Sequence, residues 1–248
     1  MPITYNQDNS VPFSGGVCTK YWKHEEHKRR RLIFLNGICN SPRDHSNACN
    51  RLSELTSCEV TGIYNQTGIG VCTDKQELKW TETLKNAAFD IAQSATDWTA
   101  VSLRGLGMDT PLLNGCANSL YKLLWEDGFL WPNWPIVIVA HSQGNLITSN
   151  ALMHFSKQVR KRGVAWPPRI QVFAVASPAV SWPTNDFIQV KTYRHSLDLV
   201  AWLSLGRNVC GEREGNGKQT AFSFSHTFES YQKDSLLNDI RQTLGTSK

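Results

Sequence analysis

A chain of 248 residues can bury a full hydrophobic core, and the length suits one α/β domain better than two. The hydrophobic fraction of 40% includes no apolar run long enough to cross a bilayer, and the formal charge of +5 is mild, with no zinc-finger, RNP or helix-turn-helix pattern to suggest nucleic acid. Met1 to Asp8 have neither a basic start nor an apolar core, so the expectation is a cytoplasmic protein, or one exported without a cleavable signal peptide.

Taken in chain order, the elements alternate strand and helix, which predicts a mainly parallel sheet with helices on both faces. The segment before Arg31 is poorly patterned, with room for one or two edge strands. Arg31 to Leu35 reads as a strand closed by Asn36-Gly37-Ile38, and a polar stretch leads to a short helix at about Asn47 to Thr56. Glu59 to Tyr64 is the next strand, ended by the turn Asn65-Gln66-Thr67-Gly68. Thr73 and Gln76 make a capping box for a long helix with the apolar stripe Leu78, Leu84, Ala88, Ile91, Ala95 and Trp98. Pro111 suits the first turn of another helix, with Gly128 at its end. A strand then runs to Ser142, followed by a helix ending at Gly163 and by strands at Ile170 to Val175 and Ile188 to Tyr193. Gly206 to Gly217 is a polar, Gly-rich loop, and the last helix carries Phe228, Tyr231, Leu236, Ile240 and Leu244 to Gly245.

The chemistry centres on Ala140-His141-Ser142-Gln143-Gly144. A buried strand that turns sharply into a helix with a serine at the corner is a nucleophile elbow, and the tight turn demands small residues two before and two after the serine. Ala140 and Gly144 meet that demand. The elbow lifts the hydroxyl clear of the sheet and puts the Gln143 N–H near a helix N-terminus, where it can stabilise an oxyanion.

A serine hydroxyl needs a base to take its proton and a carboxylate to orient that base. His226 lies in a loop just before the final helix, where a general base can reach the sheet edge; a structural histidine is the competing reading. His24, His27 and His45 precede the nucleophile strand, His141 points to the other side of it, His154 lies in the following helix, and His195 lies within or just beyond a strand. Asp198 follows the strand ending at Tyr193, at the carboxyl edge where ligands gather in open α/β sheets, whereas Asp186 precedes that strand. A capping or turn role for Asp198 is its alternative. The Ile38 N–H is a candidate second oxyanion donor if Gly37 turns the backbone sharply, and a plain turn glycine explains the same residues.

Together these residues resemble the α/β-hydrolase superfamily, and within it the lipase and esterase branches, over about Arg31 to Leu244. Asn36-Gly37-Ile38 stands where that family has a His-Gly-x oxyanion loop, and Ala140 replaces the commoner first glycine of the elbow. Ala176-Ser177-Pro178 resembles the Gly-Ser-Pro of class 3 lipases, and Asp198-Leu199-Val200 the Asp-x-Val that carries their triad acid. The resemblance implies a single α/β-hydrolase domain, the order Ser142, Asp198, His226 for the triad, and hydrolysis of a carboxylic ester through an acyl-enzyme without cofactor or metal. An ester or acyl lipid is the expected substrate; a thioesterase or peptidase uses the same machinery, and a non-catalytic binding protein shares the fold.

Two helices precede the nucleophile strand where one crossover suffices, so the first, at about 73–111 with its following loop, is a candidate cover over the site, with Leu106 and Met108 touching an acyl chain. The competing arrangement packs that helix along the sheet face. Trp182 and Trp202 follow strands and are candidates for an acyl pocket or a rim in peripheral lipid contact; core packing accounts for most of the other tryptophans. The basic runs Lys28 to Arg31 and Lys157 to Arg169 read as solvated faces, the second also favoured by the dipole at a helix C-terminus; a nucleic-acid or anionic-lipid site is the alternative for both. His24-Glu25-Glu26-His27 has the wrong spacing for a helical zinc motif. Seven cysteines, an odd count without paired spacing, predict reduced thiols.

Overall fold

Leu32 and Phe34 alternate with Ile33 and Leu35 along one short strand, and the two pairs are buried against different helices. That period of two, repeated in neighbouring strands, makes a sheet that needs cover on both faces. The computed structural model describes residues 5–6, 17–20, 31–37, 40–65, 114–130, 134–179, 182–183, 185–194, 212–214, 228 and 234–246. In order these form β1 (Tyr5–Asn6), β2 (Val17–Lys20), β3 (Arg31–Leu35), α1 (Pro42–Thr56), β4 (Glu59–Ile63), α2 (Gly115–Leu130), β5 (Ile136–His141), α3 (Gly144–Lys161), β6 (Ile170–Val175), β7 (Ile188–Arg194), β8 (Glu212–Glu214) and α4 (Asp234–Leu244).

The described strands make one sheet in the order β1-β2-β4-β3-β5-β6-β7-β8. Every neighbouring pair is parallel except β2 with β4. One face carries Ile33, Leu35, Ile138, Ala140, Val172 and Ala174 against α2 and α3, through Leu120, Leu124, Ile147, Ala151 and Phe155. The other carries Leu32, Phe34, Val137, Val139, Phe173 and Val175 against α1 and α4, through Ala48, Leu52, Leu236, Ile240 and Leu244. This is an α/β protein with helices on both sides of a mainly parallel sheet.

The connections decide where a site can form. From β3 the chain passes through α1 to β4, the neighbour on one side, while from β5 it passes through α3 to β6 on the other. Because α1 and α3 cover opposite faces, the adjacent strands β3 and β5 send their connections apart. The crevice this opens beyond their carboxyl ends is the place where doubly wound sheets hold ligands.

Several expectations need correction. The first helix begins at Pro42, not near Asn47, because Ser41 and Asp44 form a reciprocal capping box with proline at its start. Its first turn is exposed and polar, which hid it in the hydrophobic pattern. Gly128 does not end α2: it stays helical and the helix continues to Leu130, since a glycine costs a helix interior only about 1 kcal/mol relative to alanine. The start of α2 is capped by Asn114, whose side-chain oxygen accepts from the Cys116 and Ala117 amides. The polar segment Gly206 to Gly217 contains β8, which pairs in parallel with β7 from Thr192↔Glu212 to Arg194↔Glu214. A three-residue edge strand held by backbone pairing has no apolar alternation to betray it. The helix expected from Thr73 to Trp98, the cover at 73–111, and Pro111 lie outside the described residues.

Candidate active site

Ser142 sits at the corner between β5 and α3 with φ of +52°, in the left-handed region. For a residue with a Cβ this conformation costs about 1–2 kcal/mol, so the surroundings must impose it. They do so from three directions. The Ser142 N–H donates to Val175 O at 3.0 Å, continuing the β5–β6 ladder past the end of the strand. The Asn145 side-chain amide donates to Ser142 O at 3.0 Å and to Val175 O at 2.8 Å, clamping the turn to β6 from below. Gly144, the residue expected to be small, lies so close to β3 that an added Cβ would be 2.7 Å from Leu35 O and 2.9 Å from Asn36 O.

Gly37 closes the turn from the β3 side. A Cβ there would lie 2.5 Å from the Ser142 Cβ and 3.2 Å from the His141 carbonyl oxygen. Its glycine character is therefore a matter of space. Among the described residues the glycines with positive φ are Gly163 and Gly245, so Gly37 does not use the left-handed freedom invoked from the sequence.

An amide chain links three strand ends around this corner. The Asn36 side chain accepts from the Asn65 N–H at 2.8 Å and donates to Asn65 O at 2.9 Å, imitating one more rung of the β3–β4 ladder. It also donates to Gly37 O at 2.9 Å. Asn65 in turn donates through its side chain to Gln143 Oε1 at 2.7 Å, so the residue after the serine is tied to the end of β4. All of these groups are buried, with Ser142 itself only 1% exposed. Buried amides that are mutually satisfied rigidify a site. Asn65 and Asn145 were not singled out in the sequence, where they read as a turn residue and a helix start; for Asn65 the signal was an asparagine just past a strand's carboxyl end, as at Asn36, and for Asn145 an asparagine in the first turn of the helix after the serine.

The backbone amide of Gln143 belongs to the turn that opens α3, at the positive end of an 18-residue helix dipole. The carboxyl edge continues at β6, where Ala176 also has positive φ (+49°) and donates its N–H to Tyr193 O at 2.8 Å, while Ser177 Oγ accepts from the Ala179 N–H at 3.1 Å.

Of the other expected site residues, Ile38, Asp198, His226, Leu106, Met108 and Trp202 lie outside the described residues, as do His24, His27 and His195. Trp182 packs against the far half of α3, beside Met153, Ser156, Lys157 and Arg160, in a groove of about 330 Å³. At 1.5 Å per residue, Ser156 is about 18 Å along the helix from Gly144, so Trp182 is not beside Ser142. Three histidines are engaged in aromatic packing: His45 on Phe34 and Tyr64, His154 on Tyr121, and His141 on Phe228. His45 reaches the sheet because β4 presents Gly62, where a Cβ would be 2.4 Å from His45 Nε2. Cys49, Cys58 and Cys116 are buried thiols outside any disulfide. Among the described residues no group of three or more His, Cys, Asp or Glu converges as a metal site would require, and no helix is long and apolar enough to cross a membrane.

In comparison with known proteins, the chain matches no protein-family model and no curated protein. The α/β fold is of a kind that broadly serves enzymes, so the functional argument rests on the site itself.

Proposed function

We propose that this protein is a serine hydrolase of the α/β-hydrolase type, acting on carboxylic esters through an acyl-enzyme. The observation that carries the reading is the left-handed Ser142, held between β5 and α3 at the point where the sheet's connections diverge. Strain of this kind at a buried polar corner is maintained at the expense of stability, and a reacting hydroxyl gives it a purpose.

In the proposed reaction Ser142 Oγ attacks the ester carbonyl while His226 takes its proton, and Asp198 holds the imidazole. The Gln143 and Ile38 amides receive the oxyanion. His226 then protonates the departing alcohol, and a water activated by the same histidine releases the acid. Leu106, Met108 and Trp202 are assigned to the acyl chain. Two features support these roles. Ile38 directly follows Gly37, where an added Cβ would meet the Cβ of the serine. Phe228 packs its ring 5.7 Å from that of His141 and 4.8 Å from that of Phe34. Phe228 follows His226 by two residues in the chain, and His141 is the residue before Ser142.

A fluorophosphonate probe tests the reading: wild-type protein is labelled on Ser142, and Ser142→Ala is not. Folded wild-type protein that resists the probe and hydrolyses no ester would leave the corner with a purely structural role.

A further inference from the structure

The opposite edge of the sheet carries a second feature. From Gly128 to Asn185 the chain contains no Asp or Glu, the exposed Asp186 following just before β7, and its cations there are Lys157, Arg160, Lys161, Arg162 and Arg169. All five fall in the last two turns of α3 and the loop from it to β6. The helix dipole accounts for Arg160 and Lys161 in the last turn, but not for Arg169 beyond the loop. Nor does it account for Trp166, which lies between them and is 86% exposed. Arg160, Lys161, Arg162 and Arg169 are also exposed.

The loop that carries the tryptophan is pinned at both ends. Gly163, with φ of +61°, donates its N–H to Arg160 O, and Val164 donates to Val159 O, the paired bonds of a Schellman turn. Val164 packs back onto the core. At the other end Ile136 donates to Arg169 O at 2.9 Å and Ile170 to Phe187 O at 2.7 Å, which ties the loop to the starts of three strands. Between these anchors Ala165 and Trp166 are exposed, Pro167 is half-buried and Pro168 is buried, so the tryptophan stands on a stiff, anchored segment with cations on either side. Trp134, 36% exposed and two residues before β5, belongs to the same edge.

We infer that this amino edge docks on an anionic bilayer, with Trp166 entering the interface and Arg160, Lys161, Arg162 and Arg169 meeting lipid phosphates and carboxylates. Tryptophan favours the headgroup level of membranes, and an apolar anchor combined with a basic patch is the two-signal combination that peripheral attachment requires. A cationic groove with interleaved aromatic rings would suit a single-stranded nucleic acid; a single exposed tryptophan with a cationic rim suits a surface it can enter. The inference does not depend on the hydrolase reading. A six-residue parallel strand is about 20 Å long, so a bilayer docked here would lie that far from Ser142, and the contact would hold the protein in place without covering the proposed site.

The test is flotation of the full chain with vesicles of phosphatidylcholine alone or with 30% phosphatidylserine. Binding should need the anionic lipid and weaken with salt. Arg169→Gln should lower the partition coefficient about fivefold, and Trp166→Ala at least about tenfold. Arg51→Gln, which removes an exposed cation on α1, should change it by less than about twofold, and this separates the patch from the overall positive charge. Both loop substitutions replace exposed side chains, so circular dichroism and hydrolysis of a water-soluble ester should match wild type. The inference is overturned if the two vesicle types bind alike, if Trp166→Ala binds like wild type, if Arg51→Gln loses as much as Arg169→Gln, or if the loop variants lose affinity for a single-stranded oligonucleotide and not for vesicles.

Discussion

Gly37 and Ser142 come from strands far apart in the chain, yet a single added carbon on the first would lie 2.5 Å from the Cβ of the second. Real carbon atoms do not approach so closely, so the end of β3 and the corner after β5 can occupy this arrangement only with glycine at position 37. Gly37→Ala should displace the corner by about an ångström, lowering ester kcat/KM by about a hundredfold and stability by about 1–3 kcal/mol. Steady-state kinetics and urea unfolding measure both. Wild-type activity in Gly37→Ala would mean that the corner adjusts freely and that its geometry is not critical.

Asn145 offers a separate handle on the same corner. Its side-chain amide serves two buried carbonyls, those of Ser142 and Val175. Asn145→Ala removes one of two donors from each oxygen, leaving the Asn145 N–H on Ser142 O and the Ser142 N–H on Val175 O, and should cost about 1–2 kcal/mol in chemical denaturation. Asn145→Asp presents acceptors where donors are needed and should cost at least as much. In each variant that remains folded, fluorophosphonate labelling of Ser142 should slow, because the left-handed turn has lost its clamp. Unchanged stability in Asn145→Ala would show that the backbone alone holds the turn.

The proposed base sets the direction of the pH dependence. A histidine accepts the serine proton only when neutral, so ester hydrolysis should rise across roughly pH 6 to 8, the range in which imidazoles titrate, and fall away below it. His226→Ala should leave a folded protein with activity at least about a thousandfold lower. A flat profile, or full activity in the folded His226→Ala variant, would remove His226 from the mechanism.

The helix ends predict stability changes of opposite sign. Ser57 ends α1 in the left-handed region, with φ of 52°, a conformation glycine adopts without steric cost. Ser57→Gly should therefore stabilise the protein by about 0.5–1 kcal/mol. Gly163 ends α3 in the same conformation with open space around it, so Gly163→Ala suffers backbone strain alone and should destabilise by about 1 kcal/mol. Thermal or urea unfolding of the pair checks both, and matching signs would contradict the account.

Local signals in the sequence were sufficient for the described strands from Ile136 to Tyr193, the helix ending at Gly163, and the small residue at position 144. Each depends on neighbours in the chain: period-two burial, a glycine in the left-handed region, or a turn too tight for a side chain. The same local reading missed the start of α1, where the first turn is exposed and polar, and β8, whose Glu-Arg-Glu sequence pairs only through its backbone.

What the sequence by itself determined is an alternating α/β chain with a serine at one strand-to-helix corner. The tertiary structure alone decided which strands adjoin that corner. It set β3 beside β5, so that Gly37 answers a close contact rather than a turn, and it joined Asn36, Asn65 and Gln143 into a chain of amides across three strand ends. It also moved Trp182 to the far half of α3 and gathered an exposed tryptophan and its cations at the opposite edge. The physical reason is the range of the interactions. Backbone preference and hydrophobic period act over a few residues, whereas strand order brings together groups separated by dozens of residues, and those contacts leave no pattern along the chain.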